Sequence, residues 1–180
     1  EEAAREAVRL ARRLALPLEG YTADGGFFVE GDSPLLEAHQ RLLGVEAEGA
    51  DLLRLSSPLV RLQVLAEGEA PVERLLEALP RGLQAHVAES PKMPGVRFVS
   101  LTKEGVSKLS AARLVAEAYG LPLSECAMVG DGENDLELLR AVGVGIAMGN
   151  APPSVKRAAQ RVVAPVEACG LAEALRLLRG

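Results

Sequence analysis

From residue 107 onward, short apolar segments of the chain alternate with amphipathic ones. The apolar segments predict strands at 127–129, 144–148 and 161–163, and the amphipathic ones predict helices at 108–119, 135–142, 154–160 and 170–178. Short strands that are separated by helices pair in parallel through right-handed crossovers, and the helices cover both faces of the sheet. This part of the chain therefore predicts an α/β fold with a Rossmann-like parallel-sheet core.

The middle of the chain follows a different pattern. Apolar residues occupy alternate positions at 60–64 and 83–87, which is typical of half-buried strands in an antiparallel sheet. Between these strands, Pro71 begins a predicted helix that Pro80 and Gly82 end. The sequence therefore predicts an α+β domain at 25–102, inserted between a first part of the core at 1–24 and a second part at 103–180.

The first 14 residues place apolar side chains along one stripe of a helix, and this pattern starts without a capping residue before it. We therefore expect the chain to begin within a helix or at its start. We also expect the first strands of the core to lie upstream of this sequence.

The composition excludes several classes of function. The chain has 180 residues, a formal net charge of −5 and 3% aromatic residues, which predicts no nucleic-acid partner. It contains no apolar run long enough to cross a bilayer, which predicts no membrane partner. Cys126 and Cys169 are isolated and no secretory signal precedes them, so we expect a reduced, cytoplasmic setting. The oligomeric state is left open.

Three carboxylates, those of Asp131, Glu133 and Asp135, lie within five residues at a predicted turn between a strand and a helix. A helix start explains such a cluster as well as a bound cation does. Asp131 follows the carboxyl end of a predicted parallel strand, where α/β folds bind ligands, and Asp135 can point to the same side. Oxygen ligands of this kind suit Mg²⁺ together with a phosphate. Glu133 is predicted as a helix-start residue, and Asn134 either faces a ligand or shapes the turn.

Lys108 stands in the first turn of a predicted helix, where a cation faces the positive end of the helix dipole. An anion bound at this helix N-terminus would explain the position, whereas a solvated surface lysine would need no explanation. Asn150 follows another predicted strand, at the same edge of the sheet as Asp131. Considered alone, Asn150 is a turn residue.

The two histidines are not predicted to be functional. His39 falls in a predicted helix and His86 on the polar face of a predicted strand, and we expect both to be solvated. No Walker-type phosphate loop is present, and the Gly143-x-Gly145 pair precedes a predicted strand instead of following one, unlike a dinucleotide-binding motif.

Three segments resemble the C-terminal motifs of the haloacid dehalogenase superfamily: Gly105 to Lys108, Val129 to Asp135 and Gly145 to Ala151. The resemblance is closest to the Cof-type phosphatases, in which a large α/β cap domain is inserted into the core. It extends to the tail, at Ser154 to Ala159. In this interpretation residues 25–102 form the cap domain.

The resemblance implies a Mg²⁺-dependent phosphatase that acts on small phosphorylated metabolites through an aspartyl-phosphate. Lys108 would match the lysine that holds the nucleophile and the phosphate together. Asp131 would be a direct Mg²⁺ ligand, and Asp135 a second acidic residue that supports the metal and its waters. Asn134 and Asn150 would lie near the phosphate.

The nucleophile and the general acid of the family belong to an Asp-x-Asp-Gly-Thr strand, and no Asp-x-Asp occurs in this sequence. We therefore expect the nucleophile to lie upstream of the chain. Two alternatives are a non-catalytic module that binds a phosphate ligand or a partner, and a phosphomutase that returns the phosphoryl group to its substrate.

Overall fold

The computed structural model describes residues 2–179, and the chain divides into two compact units, one up to Glu104 and one from Gly105. The helices are α1 (Glu2–Arg13), α2 (Pro34–Leu43), α3 (Ala70–Glu77), α4 (Lys108–Ala118), α5 (Leu136–Ala141), α6 (Pro153–Ala158) and α7 (Gly170–Leu178). The strands are β1 (Leu18–Thr22), β2 (Phe27–Glu30), β3 (Glu48–Gly49), β4 (Leu59–Glu67), β5 (Leu83–Ser90), β6 (Met93–Lys103), β7 (Ala127–Gly130), β8 (Val144–Ala147) and β9 (Arg161–Val162).

The first unit is built on a six-stranded sheet in the order β3-β2-β1-β4-β6-β5, in which every pair is antiparallel except β2 with β3. Val64 and Leu65 are neighbours on β4 and therefore point to opposite faces. Val64 packs in a cluster with side chains of α1 and α3, whereas Leu65 packs with Leu36 of α2 and Phe98 of β6. Both faces of this sheet thus bury apolar side chains against helices.

Residues 2–24 group with the rest of the first unit, and the predicted domain bounds of 1–24, 25–102 and 103–180 stay a prediction. The physical reason for this grouping is strand pairing, because β1 lies inside the sheet and pairs with β2 on one side and β4 on the other. Apolar residues of α1 add to the same cluster as β4.

His39 is buried, so the expectation that it is solvated is wrong. Its Nδ1 lies 2.6 Å from Oε1 of Glu19, a fully buried carboxyl on β1. His39 points inward because α2 lies over the face of the sheet to which Glu19 points. His86 is exposed on β5, as predicted.

The second unit contains a parallel sheet in the order β7-β8-β9. On β8, Ala147 packs with Leu139 of α5 and Val155 of α6, whereas Ile146 packs in a separate cluster with Ala174 of α7. Helices therefore cover both faces, and the predicted α/β fold with a parallel sheet is confirmed. Among the described residues, no helix is both long and apolar enough to cross a membrane.

Gly143 connects α5 to β8, and a substitution there tests how closely the chain packs in the second unit. A Cβ atom at this position would lie 1.9 Å from the backbone oxygen of Ser124, so the Gly143→Ala substitution forces the backbone apart. We expect it to lower the free energy of unfolding by about 2 kcal/mol or more, measured by thermal or urea unfolding.

Gly49→Ala is the matched control, because a Cβ atom there meets nothing within 4 Å. Both substitutions lower the conformational entropy of the unfolded chain by a similar amount, so a difference in their stability must come from the folded state. Equal stability of the two variants would contradict the close approach at Gly143.

Candidate active site

The candidate active site lies at the carboxyl edge of the parallel sheet in the second unit. β7 ends at Gly130, and the chain then turns through Asp131 and Gly132 into a short 3₁₀ helix, Glu133–Asp135, before α5. The N–H of Met148, just after β8, donates to the backbone oxygen of Gly130 at 3.0 Å. The residues that follow β7 and β8 are therefore held at one edge, as expected for parallel strands.

Asp135 is at the centre of the hydrogen-bond network in this turn and is only 2% exposed. Its Oδ2 accepts hydrogen bonds of 3.0 Å from the backbone N–H groups of Asp131 and Gly132. Its Oδ1 accepts a hydrogen bond of 2.5 Å from Nζ of Lys108. Asp135 comes this close because residue 130 is glycine, where a Cβ atom would lie 2.7 Å from Oδ2.

Lys108 reaches Asp135 from the first turn of α4. This helix begins after Ser107, whose Oγ accepts a hydrogen bond of 3.1 Å from the N–H of Ser110, while Oγ of Ser110 accepts one of 2.8 Å from the N–H of Ser107. The sequence indicated that a lysine at this position needs a neighbouring anion or full solvation. The structure supplies the anion from the chain itself, since the Asp135 carboxylate faces the ammonium.

The environment of Asp135 shifts its pKa. Burial of the carboxyl raises the pKa, but the hydrogen bonds from Lys108 and from the backbone N–H groups of Gly132 and Asp131 outweigh burial, so the pKa lies below its usual range. Asp135 is therefore ionised at neutral pH.

Asp131 is exposed, in contrast to Asp135. Its Oδ2 accepts a hydrogen bond of 3.2 Å from Nδ2 of Asn150, and Oδ1 of Asn150 accepts one of 3.1 Å from the N–H of Val166. Because the Val166 N–H must meet an oxygen, the Asn150 amide is oriented with its nitrogen toward Asp131. The Asn150 side chain thus holds the Asp131 carboxylate at the edge of the sheet.

The structure brings together four of the five candidate residues, namely Lys108, Asp131, Asp135 and Asn150, in one continuous network of hydrogen bonds. Asn134 is exposed on the 3₁₀ helix, and its place near a phosphate stays a prediction.

Sequence reasoning missed one contact at this site. Oε1 of Glu133 accepts a hydrogen bond of 3.1 Å from Oγ of Ser154 on α6, so Glu133 contacts α6 as well as beginning the 3₁₀ helix. No local signal in the sequence marks this pair, because the two residues lie 21 positions apart.

The donor set of the site fits one magnesium ion at Asp131. Among residues 2–179, no group of three or more His, Cys, Asp or Glu side chains is arranged to hold a metal. Mg²⁺ does not need such a cage, because it keeps several waters and binds through one or two carboxylates plus a phosphate. Asp131 presents an exposed carboxylate of this type, whereas both oxygens of Asp135 already accept hydrogen bonds.

The Lys108→Met variant tests the charge balance at Asp135. We expect the pKa of the Asp135 carboxyl to rise, because the variant removes the ammonium but leaves the carboxyl buried; carboxyl ¹³C NMR during a pH titration measures this pKa. Lys92→Met, at an exposed lysine in a turn of the first unit, should leave it unchanged.

The same variant should change how stability depends on pH. The folded pKa of Asp135 lies below the unfolded value of about 4, so its stabilisation is present above that value and is lost as the pH falls through the folded pKa. Lys108→Met should bring the folded-state pKa of Asp135 closer to its unfolded-state pKa. The free energy of unfolding should therefore fall less on acidification in this variant than in the wild type. An Asp135 pKa equal to that of the wild type would contradict the ion pair.

Comparison with known protein families and relatives adds independent information. Residues 63–175 match the family model of haloacid dehalogenase-like hydrolases. The chain is 31% identical over 137 residues to an HMP-PP phosphatase of Cronobacter sakazakii, covering 73% of this chain and 48% of the relative. It is 34% identical over 82 residues to a phosphoglycolate phosphatase of Methanothermobacter thermautotrophicus, covering 46% and 37%. The chain thus spans less than half the length of these relatives.

Solved structures resemble the chain over almost its whole length. A haloacid dehalogenase-like hydrolase from Bacteroides thetaiotaomicron superposes with a TM-score of 0.78 at 22% identity, covering 98% of this chain and 66% of that one. BT1666 of the same bacterium, studied among phosphatases of the haloalkanoate (HAD) superfamily, superposes with a TM-score of 0.75 at 27% identity, covering 97% and 63%. The first of these similarities supports the fold alone.

Proposed function

The chain belongs to the haloacid dehalogenase-like hydrolases, and from this premise we propose that its protein is a Mg²⁺-dependent phosphatase of small phosphorylated metabolites. The reaction would pass through an aspartyl-phosphate. The attacking aspartate would come from residues upstream of this chain, since the chain contains no Asp-x-Asp.

The network around Asp135 is the observation that supports this proposal most directly. Phosphoryl transfer depends on neutralising and aligning the charged oxygens of the phosphoryl group, and little covalent chemistry is required of the supporting residues. Lys108 provides a cation whose ammonium is 2.5 Å from Asp135 and whose side chain is 48% exposed, so it can also contact a bound phosphate. Asp135 would orient Lys108 and, through two backbone N–H groups, the turn that carries Asp131.

Asp131 would hold the magnesium ion, and Asp135 would support the metal site through its hydrogen bonds to the backbone of the turn that carries Asp131. When bound, Mg²⁺ would supply positive charge to the phosphate oxygens. Asn150 would keep the Asp131 carboxylate in position, and Asn134 and Asn150 would lie close to the phosphate.

The relatives support the reaction class and leave the substrate open. The two curated relatives described above are named as phosphatases of different small molecules, HMP-PP and phosphoglycolate. We also propose a cytoplasmic location, because Cys126 and Cys169 are both free thiols.

Activity tests the proposal in the full-length protein. We expect Mg²⁺-dependent release of phosphate from p-nitrophenyl phosphate and a loss of about a thousandfold in kcat for Asp131→Asn, which removes the charge but keeps the shape of the side chain. Asp32→Asn, at an exposed aspartate of the first unit, is the matched control and should retain full activity. Undiminished turnover by Asp131→Asn would refute the proposal.

Metal binding can be measured on the chain itself, independently of activity. In an NMR titration with MgCl₂, the backbone amide signals of Gly130, Asp131 and Gly132 should shift in the wild type and in Asp32→Asn. They should not shift in Asp131→Asn. If Mg²⁺ instead shifted the signals equally in all three proteins, Asp131 would not be the ligand.

A further inference from the structure

A second network of hydrogen-bonded polar side chains lies within the first unit. Its centre is Glu19, whose carboxyl is fully buried on the face of the sheet that α2 partly covers. The Glu19 carboxylate accepts hydrogen bonds of 2.9 Å from the Tyr21 hydroxyl and from Nε2 of Gln63, and it lies 2.6 Å from Nδ1 of His39. Burial and the neighbouring carboxylate raise the pKa of Tyr21, which keeps its hydroxyl protonated as a donor.

Arg61 is the cation of this network, and two contacts fix its guanidinium. One of its terminal nitrogens donates to Oε1 of Gln63, and the guanidinium lies over the Tyr21 ring, 4.5 Å from its centre. Gln63 therefore joins Arg61 to Glu19 through its amide, with its oxygen toward the guanidinium and its nitrogen toward the carboxylate. The Glu19 carboxylate thereby sets the orientation of Arg61 without pairing with it directly.

One donor of Arg61 is left without an acceptor. Its Nε is buried and has no hydrogen-bond partner among the described residues. Buried donors on charged groups are rarely left unpaired, because the water they lose on folding must be replaced by an acceptor. The side chains of Glu19, Tyr21, His39 and Gln63 all have hydrogen-bond partners, in contrast to Nε of Arg61.

Arg61 lines a surface cavity of about 380 Å³ that is formed entirely by residues of the first unit. Leu42 and Leu43 of α2 and Phe98 of β6 contribute apolar surface to the same cavity, and His39 and Gln63 contribute polar surface. Glu89 also lines the cavity, and its carboxylate is paired with the guanidinium of Arg97, which offsets its negative charge. A cavity of this volume is the size of a small organic ligand, with a prepositioned cation beside an apolar wall.

We propose that this cavity binds a small organic anion, in which a carboxylate or phosphate group accepts hydrogen bonds from Arg61 and an apolar or aromatic body packs against Leu42, Leu43 and Phe98. The guanidinium suits such a group because its planar N–H donors match the oxygens of carboxylate and phosphate. Glu19 accepts hydrogen bonds from Tyr21 and Gln63, and it orients Arg61 through Gln63. It does not accept a hydrogen bond from Nε of Arg61.

The experiment is a site-resolved NMR titration of the whole chain with three probes of similar shape. Benzoate carries a carboxylate, phenylphosphonate carries a phosphate-like anion that cannot be hydrolysed as an ester, and benzamide is neutral. We expect benzoate or phenylphosphonate to shift the Arg61 Nε–H signal and the methyl signals of Leu42 and Leu43, with benzamide at least about tenfold weaker. The two anions distinguish a carboxylate ligand from a phosphate ligand.

Arg61→Lys keeps the positive charge but removes the planar donors, so we expect about tenfold weaker binding of the preferred anion. Arg54→Lys is the matched control, since the Arg54 side chain is 86% exposed and does not line the cavity, and it should bind like the wild type. Leu43→Glu places a negative charge at a residue that is 47% exposed, so it should weaken binding without disturbing the fold, which keeps the test valid if Arg61→Lys does not fold.

Three results would overturn the proposal. The first is that benzamide shifts the same signals as strongly as the anions. The second is that neither anion shifts the Arg61 Nε–H signal. The third is equal affinity of Arg61→Lys and Arg54→Lys for the preferred anion, which would assign Arg61 to the structure of the sheet and to no ligand.

Discussion

The candidate site depends on the burial of one ionised carboxylate, that of Asp135. A carboxylate that is 2% exposed is costly unless donors replace the water it has lost. Three donors do so: the Lys108 ammonium and the N–H groups of Asp131 and Gly132. They belong to the first turn of α4 and to the turn after β7, while Asp135 itself precedes α5. One side chain therefore fixes the positions of three segments, and the turn that carries Asp131 becomes a rigid support.

Glu19 in the first unit is also a buried acidic side chain, and its donors are different in kind. Tyr21 and Gln63 donate from a hydroxyl and an amide, and His39 approaches from α2. The guanidinium of Arg61 is joined to Glu19 through the side-chain amide of Gln63. In the second unit the Lys108 ammonium pairs directly with the carboxylate, whereas in the first unit Nε of Arg61 has no acceptor among the described residues. The hydrogen bonds of Asp135 therefore extend to the candidate active site, whereas those of Glu19 extend to the cavity that Arg61 lines.

The parallel sheet and most of the candidate site were predictable because their signals are local. Strand and helix periodicity is read over a few residues, and the site residues lie within a few positions of strand and helix ends. Lys108 was informative because its place in a helix start is unfavourable without an anion. The grouping of residues 1–24 and the burial of His39 depend on contacts that no local pattern marks, such as the bond between Glu19 and Gln63 across 44 positions. Which carboxylate would face Lys108 was equally undetermined by spacing.

Asp131 and Asp135 show why the carboxylate cluster could not be assigned by counting charges. Both residues are acidic and they lie in one turn, yet Asp135 is buried with both oxygens occupied and Asp131 is exposed with support from Asn150. Two groups of the same chemistry acquire different roles when their surroundings differ in this way. The hydrogen bonds that offset the desolvation of the buried carboxylate also fix the turn, and under the proposed function the exposed carboxylate would bind a cation without reorganising. A cluster of three solvated carboxylates would have the same charge but no fixed position for the ion.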